Sequence, residues 1–304
     1  MDIVSMVKLH GNARESIKKA LNLIGGLNIL DSTILIKPNI CVQSKALEHA
    51  NVSFEIVHAI VDEVFERNRN FSVKIMESDS EEKYIERAFQ NFGYFQLQDN
   101  YRRQGYDVSI VNLSNEPIEA ITCDELWLKE LILPRILLQR KFFISVARAK
   151  AHALTTITGI LKNQFGCLPT KKKRMYHRHI DQVIVEINKI VRPDLCIIDG
   201  VTGMEGSTRG RVRELGVFIC GRNPVSVDAV LARVMGFDPS KIKHIVLAEK
   251  HNLGTLRPQV VGERVESVRI GFRKPSGIIA KVDTHMPEPL RPIARYLYRN
   301  LLQS

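Results

Sequence analysis

The chain has 304 residues, of which 44% are hydrophobic and 25% charged, with a formal net charge of +11. A chain of this length buries roughly 75% of its unfolded surface, so neither disulfides nor a structural metal is needed to hold a fold together. No apolar run approaches the ~20 residues that span a bilayer, and Met1-Asp2-Ile3-Val4 lacks the basic and apolar regions of a signal peptide, so a cytoplasmic protein with no membrane partner is expected.

In chain order, residues 13–24 predict an amphipathic helix with Ile17, Ala20, Leu21 and Ile24 on one face. Residues 32–37 predict a short buried strand that ends at Lys37-Pro38-Asn39. A helix follows Ser53, with Val57, Ile60, Val61 and Val64 at i, i+3, i+4 and i+7. Ser72 to Met76 predicts a strand leading into Glu77-Ser78-Asp79, followed by a helix at 83–91 and a strand at 107–113. Pro117 and Pro134 interrupt 114–140, which suggests a small inserted substructure. The apolar run Phe142 to Val146 predicts a strand stopping at Lys150 and His152, then a Thr-rich turn and a helix start near Gly159.

Beyond it, Asp181 can cap a helix striped by Val183, Ile187, Ile190 and Val191. Leu195 to Ile198 predicts a strand delivering Asp199 into a glycine-rich turn, and Val217 to Cys220 a further strand. Asn223-Pro224 opens a helix with Asn at the cap and Pro at its first position. Asp238-Pro239-Ser240 repeats that start signal, and 265–272 alternates as a strand. The tail 285–304 is basic and amphipathic and can pack on a second subunit, which leaves room for a homo-oligomer. Strands alternating with helices over 1–304 predict one α/β domain: a largely parallel, Rossmann-like sheet with helices on both faces.

In such sheets ligands bind beyond the carboxyl ends of the strands. Those ends here carry Lys37 and Asn39, Glu77 and Asp79, Lys150 and His152, and Asp199 and Gly200. Lys37 suits a carboxylate or phosphate, can act as a base if desolvated, or simply snorkels out at a strand end. Glu77 and Asp79 point to opposite sides of an extended segment, and Glu77 is the one expected to face the cleft. Lys150 and His152 share parity, which sets a cation beside an imidazole able to move a proton. Thr156, Lys162 and Asn163 extend this anion site, and backbone amides at the helix start can cradle an oxyanion. The segment matches neither a phosphate-binding Walker loop nor a dinucleotide fingerprint.

The stretch Asp199 to Gly210 has four glycines in twelve positions. Such density implies left-handed backbone or close approach to a ligand, making Gly203 and Gly206 candidates to touch a cofactor. Asp199 and Glu205, with His152 or His177, suit a divalent metal, and Glu77 joins them as a candidate ligand. Arg209 suits a substrate carboxylate or phosphate. Asp228, near a helix start, is explained by the helix dipole alone or by its place beside the glycines.

The five cysteines are scattered without a Cys-x-x-Cys pair, so an iron–sulfur ligand motif is not expected, and Cys167 is the one to test for reactivity. The positive charge has two readings: contact with nucleic acid, or cations gathered around an anion cleft. Lys171-Lys172-Lys173-Arg174, followed by Tyr176, is either a rim of that cleft or a solvated loop. No aromatic stacking platform accompanies it, so nucleic acid is the less favoured partner.

Lys37-Pro38-Asn39, Glu77, Lys150-x-His152, Thr158 to Asn163, Gly166, His177, Asp199-Gly200, Gly203 to Gly206 and Asp228-Ala229-Val230 together resemble the domain-of-unknown-function 362 family. The resemblance implies a prokaryotic protein of unsettled biochemical role, whose relatives often carry a ferredoxin-like segment. This chain lacks that segment's cysteines, so a separate ferredoxin-like protein would be the redox partner. Relatives continue the glycine stretch as Gly-Asn-Gly-Pro, where this chain has Gly206-Ser207-Thr208-Arg209-Gly210. Three functions follow: an enzyme acting on a small anion, with His152 or His177 handling a proton beside Lys150 and with racemisation, group transfer and redox chemistry all open; a metal or cofactor-handling accessory protein; and a nucleic-acid binder.

Overall fold

Runs of β-branched and other apolar residues, each followed by an amphipathic helix, build the sheet at the centre of the molecule. The computed structural model describes residues 1–273 apart from 82, 124, 125, 140 and 207–209. The first half comprises β1 (Ile3–Lys8), α1 (Ala13–Leu23), β2 (Thr33–Pro38), α2 (Phe54–Arg67), β3 (Ser72–Glu77), α3 (Ile85–Asn91), α4 (Tyr94–Arg103) and β4 (Asp107–Asn112). A separate two-stranded ribbon, β5 (Ile118–Thr122) and β6 (Glu130–Pro134), comes next. The second half comprises β7 (Phe142–His152), β8 (Thr156–Thr158), α5 (Ile160–Asn163), α6 (Ile180–Ile190), β9 (Leu195–Glu205), β10 (Arg211–Gly221), α7 (Pro224–Val234), α8 (Lys243–Lys250), β11 (Gln259–Gly262) and α9 (Val265–Val268).

The sheet runs in the order β11-β1-β10-β9-β7-β2-β3-β4, with β8 added to β7. From β9 to β4 every pairing is parallel, whereas β10 runs against both β9 and β1. It is a mostly parallel sheet covered by helices on both faces. Ile34, Ile36, Ile144 and Val146 pack on one face with residues of α1 to α4, such as Ile17, Ile56, Phe89 and Leu97. Leu35, Phe143 and Ala147 pack on the other with Ile160, Val183, Val230 and Ile245 from α5 to α8. Truncating one Leu or Ile to Ala in such layers costs about 2–5 kcal/mol, so both layers hold the strand ends firmly.

Two features of the topology position the site. Strand order reverses between β2 and β7, since β3 and β4 lie on one side of β2 while β9 lies beyond β7. The carboxyl edge at such a reversal is the usual ligand position in doubly wound sheets. In addition, β7 has 11 residues and β2 only 6, with their pairing ending at Pro38 opposite Val146. The end of β7, carrying Arg148, Lys150 and His152, therefore stands above the finished end of β2.

Several elements differ from expectation. β1 and α4 carry no prediction, and β1 lies between β10 and β11 in the sheet. The 265–272 alternation instead holds the short helix α9, and the edge strand β11 lies just before it. The strand predicted to stop at Lys150 and His152 does end at His152, and its last three residues also pair with β8. The glycine-rich turn is the outer half of β9, paired to β10 and bulged against β7: Arg148 lies opposite Asp199, but Lys150 lies opposite Met204. His179, not Asp181, occupies the N-cap of α6, and Asp181 sits in its first turn. The tail 285–304 and Arg209 lie outside the described residues. No helix among the described residues is long and apolar enough to cross a membrane.

Candidate functional site at the strand-order reversal

Lys37 is fully buried at the end of β2, and Glu77 is its counter-charge at the end of β3, with Nζ to Oε2 2.6 Å. Lys83, also buried, approaches the other oxygen of Glu77 at 3.7 Å and donates to the Ile40 carbonyl at 2.7 Å. Burial alone pushes the Glu77 carboxyl up, but Lys37, Lys83 and Lys173 outweigh it and hold the group below the usual carboxylate range. Gly166 closes over this pair: a Cβ there would stand 2.6 Å from both Glu77 Oε1 and Lys37 Nζ. Its carbonyl accepts a 2.6 Å bond from Ser78 Oγ.

Asn163 joins the strand ends. Its Oδ1 accepts from Lys37 Nζ at 3.1 Å and from Asn39 Nδ2 at 3.3 Å. Its Nδ2 donates to the Lys37 carbonyl, Ser145 Oγ and the Val146 carbonyl. Asn39 Oδ1 in turn accepts from Lys150 Nζ at 2.8 Å. Lys37, Asn39, Glu77 and Lys150 from three strand ends, with Asn163 from α5, thus form one continuous hydrogen-bonded network.

The remaining acceptors of Lys150 are the Ala50 carbonyl at 2.8 Å and Cys41 Sγ at 3.1 Å, neither of them a carboxylate. Lys162, half-buried in α5, lies 5.9 Å from the centre of the Phe165 ring and has no acidic partner among the described residues. Burial, reinforced by the nearby Lys150 and Lys37 charges, pushes its ammonium down to about 8.

His152 accepts two backbone N–H groups on Nδ1, from Leu154 at 3.2 Å and Thr155 at 3.3 Å. Those bonds fix the neutral tautomer with its proton on Nε2. Burial, then the charges of Lys162 and Lys150, hold the imidazole well below its ordinary value. Thr156, opposite His152 in the β7–β8 pair, has φ +67, an outlier for a β-branched residue. Backbone strain of this kind collects at functional sites. His177 lies near enough for its charge to disfavour that of His152, and its ring packs 6.2 Å from Phe165.

Other expected contributors are spent elsewhere. The α5 amides of Ile160 and Leu161 are not a free oxyanion cradle, because the Asp228 carboxylate accepts from them at 2.6 and 2.9 Å. Burial pushes Asp228 up to about 7 against the pull of those bonds. Asp79 accepts from the Ile85 N–H at 2.8 Å and meets Lys171 at 3.2 Å, which makes it a turn and helix-start residue. Gly203 is not open to a cofactor: a Cβ there would meet Leu215 at 2.6 Å and Phe272 at 2.8 Å. Gly206 takes φ +102 next to the hairpin tip, where glycine avoids strain.

The candidate metal ligands do not come together. Asp199 pairs with Arg148 and also accepts from the Ser53 N–H at 2.9 Å; Glu205 meets Arg213 at 3.5 Å, and Glu77 belongs to Lys37. Among the described residues no three His, Cys, Asp or Glu side chains form a set able to hold a metal ion. Cys167 is buried, and its thiol is pushed up to about 12 by that burial, so it is not a reactive thiolate. In the basic run, Lys173 donates to Ser78 Oγ and the Asp79 carbonyl, Lys171 meets Asp79, and Arg174 meets Glu81 at 2.7 Å. Those cations serve the loop after β3, which puts the run at the rim of the network.

Arg148 has no counterpart in the predicted site. Its guanidinium bonds Asp199, Thr202 and, at 3.0 Å, Ser53 Oγ, while its Nε finds no partner. It borders a cleft of about 1290 Å³ between the 45–50 turn with α2 and α3 with α4. Tyr94 also lines that cleft, with a buried hydroxyl that has no partner. The signal for Arg148 was present: Arg148, Lys150 and His152 alternate with alanines in the strand period of two.

A doubly wound sheet with polar strand ends gathered at its order reversal defines an α/β protein whose polar cluster lies where such sheets bind their ligands. The chain belongs to the family described as "Domain of unknown function (DUF362)", whose profile matches residues 34–233. It is 24% identical to the thylakoid-associated protein sll1697 of Synechocystis, over 95% of this chain and 91% of that protein. Among solved structures it is similar to the lactate racemase apoprotein of Thermoanaerobacterium thermosaccharolyticum, at 12% identity and a TM-score of 0.46, over 77% of this chain and 57% of that one. At that level the likeness says nothing about the chemistry of this chain.

Proposed function

We propose that this protein is an enzyme that binds a small anion at the crevice between β2 and β7, with Lys150 and Lys162 as its counter-charges. The observation that carries this reading is the pairing of Lys162: a half-buried ammonium with no carboxylate among the described residues. Such a charge repels its lysine neighbours until an anion arrives. The rigid Lys37–Glu77–Asn163 network beneath fixes where Asn39 and Lys150 stand.

Roles follow from protonation. His152, neutral and with its Nδ1 already bonded, offers its Nε2–H as a hydrogen-bond donor to an oxyanion. Lys162, pushed down to about 8, is the group that changes protonation near neutral pH and so sets the pH range in which the anion is held. A cytoplasmic setting is part of the proposal, while association with thylakoids belongs to the Synechocystis relative.

A thermal-shift panel of phosphate, sulfate and small carboxylates tests the reading. Wild type should melt higher with at least one anion, and Lys162→Met should lose that response while folding normally. No stabilisation by any of these anions, or an undiminished response in Lys162→Met, contradicts it.

A further inference from the structure

Charge accounting around the network narrows the ligand, and this step rests on the anion-site reading above. Lys37 and Lys83 share the single carboxylate of Glu77. The carboxylate of Asp79 meets Lys171, whereas Lys173 has only Ser78 Oγ and the Asp79 carbonyl. Lys150 has an amide oxygen, a backbone carbonyl and a thiol. Lys162 has an aromatic ring. Lys173 still feels the Glu77 charge, whereas the neighbours Lys150 and Lys162 are left without a carboxylate partner among the described residues.

A carboxylate ligand would neutralise one of them and leave the other unpaired in buried surroundings, which is unfavourable. A dianion neutralises both. We infer that the crevice is a site for the dianion of a phosphate group, inorganic or carried on a larger molecule, held between Lys150 and Lys162. The Nε2–H of His152 and the side chain of Asn39 supply neutral donors at the same edge. The α5 amides take no part, because Asp228 already occupies them.

The depressed lysine fits that surplus and gives the inference a pH signature. Lys162 must be protonated, which requires pH below about 8. Phosphate must be doubly ionised, which requires pH above its second ionisation at about 6 to 7. Affinity should therefore pass through a maximum between these limits, and binding should take up protons near pH 8, because the dianion raises the lysine again.

Isothermal calorimetry with inorganic phosphate, and with acetate for comparison, tests this from pH 6 to 9.5. Expected are a bell-shaped affinity, acetate weaker by about tenfold or more, and a loss of about tenfold or more in Lys162→Met, as for one charge-assisted bond. Lys162→Arg should bind phosphate and lose the decline above pH 8, a change that a purely structural role for Lys162 would not produce. Acetate binding as tightly as phosphate overturns the dianion while leaving the anion site intact. Phosphate binding that is unaltered in Lys162→Met overturns the assignment to this crevice. Failure of both ligands overturns this inference and the anion-site reading together.

Discussion

Arg148 and Lys150 stand two residues apart on the same face of β7, yet the fold treats them in opposite ways. Arg148 meets the fully buried carboxylate of Asp199 directly opposite on β9, and the pair is anchored further by Ser53 and Thr202. Lys150 meets only neutral acceptors, and its neighbour Lys162 meets a ring. A compensated pair of this kind holds one structure, while an uncompensated charge responds to whatever arrives. The difference lies in register: β7 carries Arg148 level with Asp199, then β9 bulges so that Lys150 lies opposite Met204 instead of a second acid.

The contrast can be broken most forcefully on the compensated side. Asp199→Ala leaves a buried guanidinium alone and should cost about 3–5 kcal/mol, read by denaturant melts. Glu77→Gln should cost a similar amount, because Lys37 and Lys83 lose their shared charge. On the uncompensated side the expected sign differs: Lys162→Met should leave stability within about 1 kcal/mol or raise it, since it removes an unpaired charge.

Asp228 sharpens the comparison as a buried carboxylate held only by amides. Its folded value, about 7, lies above the ordinary 3.8, so the folded state holds its proton more tightly than the unfolded chain does. Its favourable contribution is complete below pH 4 and declines as pH rises through 7. Urea melts across that window should show this decline in wild type and a flatter profile in Asp228→Asn. A smaller effect concerns thiols. Half-exposed Cys41, beside Lys150, should be the first to react with a thiol reagent, while Cys167, Cys196 and Cys220 stay protected in the native state. Phosphate in the crevice should slow the Cys41 reaction modestly.

The network was legible in sequence wherever a polar residue directly follows a short apolar strand. Lys37 and Glu77 lie at the ends of six-residue strands and Asn39 directly follows one, and a strand end has few places to go but the carboxyl edge. The metal set was not legible, because β9 runs on for 11 residues through its glycines. Extended backbone rises about 3.3 Å per residue, which sets Asp199 and Glu205 roughly 20 Å apart. Glycine density signalled close packing against Leu215 and Phe272 as much as a turn. Arg148 escaped notice because its alternation with Lys150 and His152 was read only for the last two. The buried run Val4 to Val7 that forms β1 is too short to show a period of its own.

The account depends most directly on the protonation of Lys162. Its side-chain titration, followed by carbon NMR at the ε position in wild type assigned against Lys162→Met, should show a midpoint near 8 that rises when phosphate is added. A midpoint at the ordinary lysine value of about 10.4, unmoved by phosphate, would contradict an uncompensated anion site at this edge of the sheet.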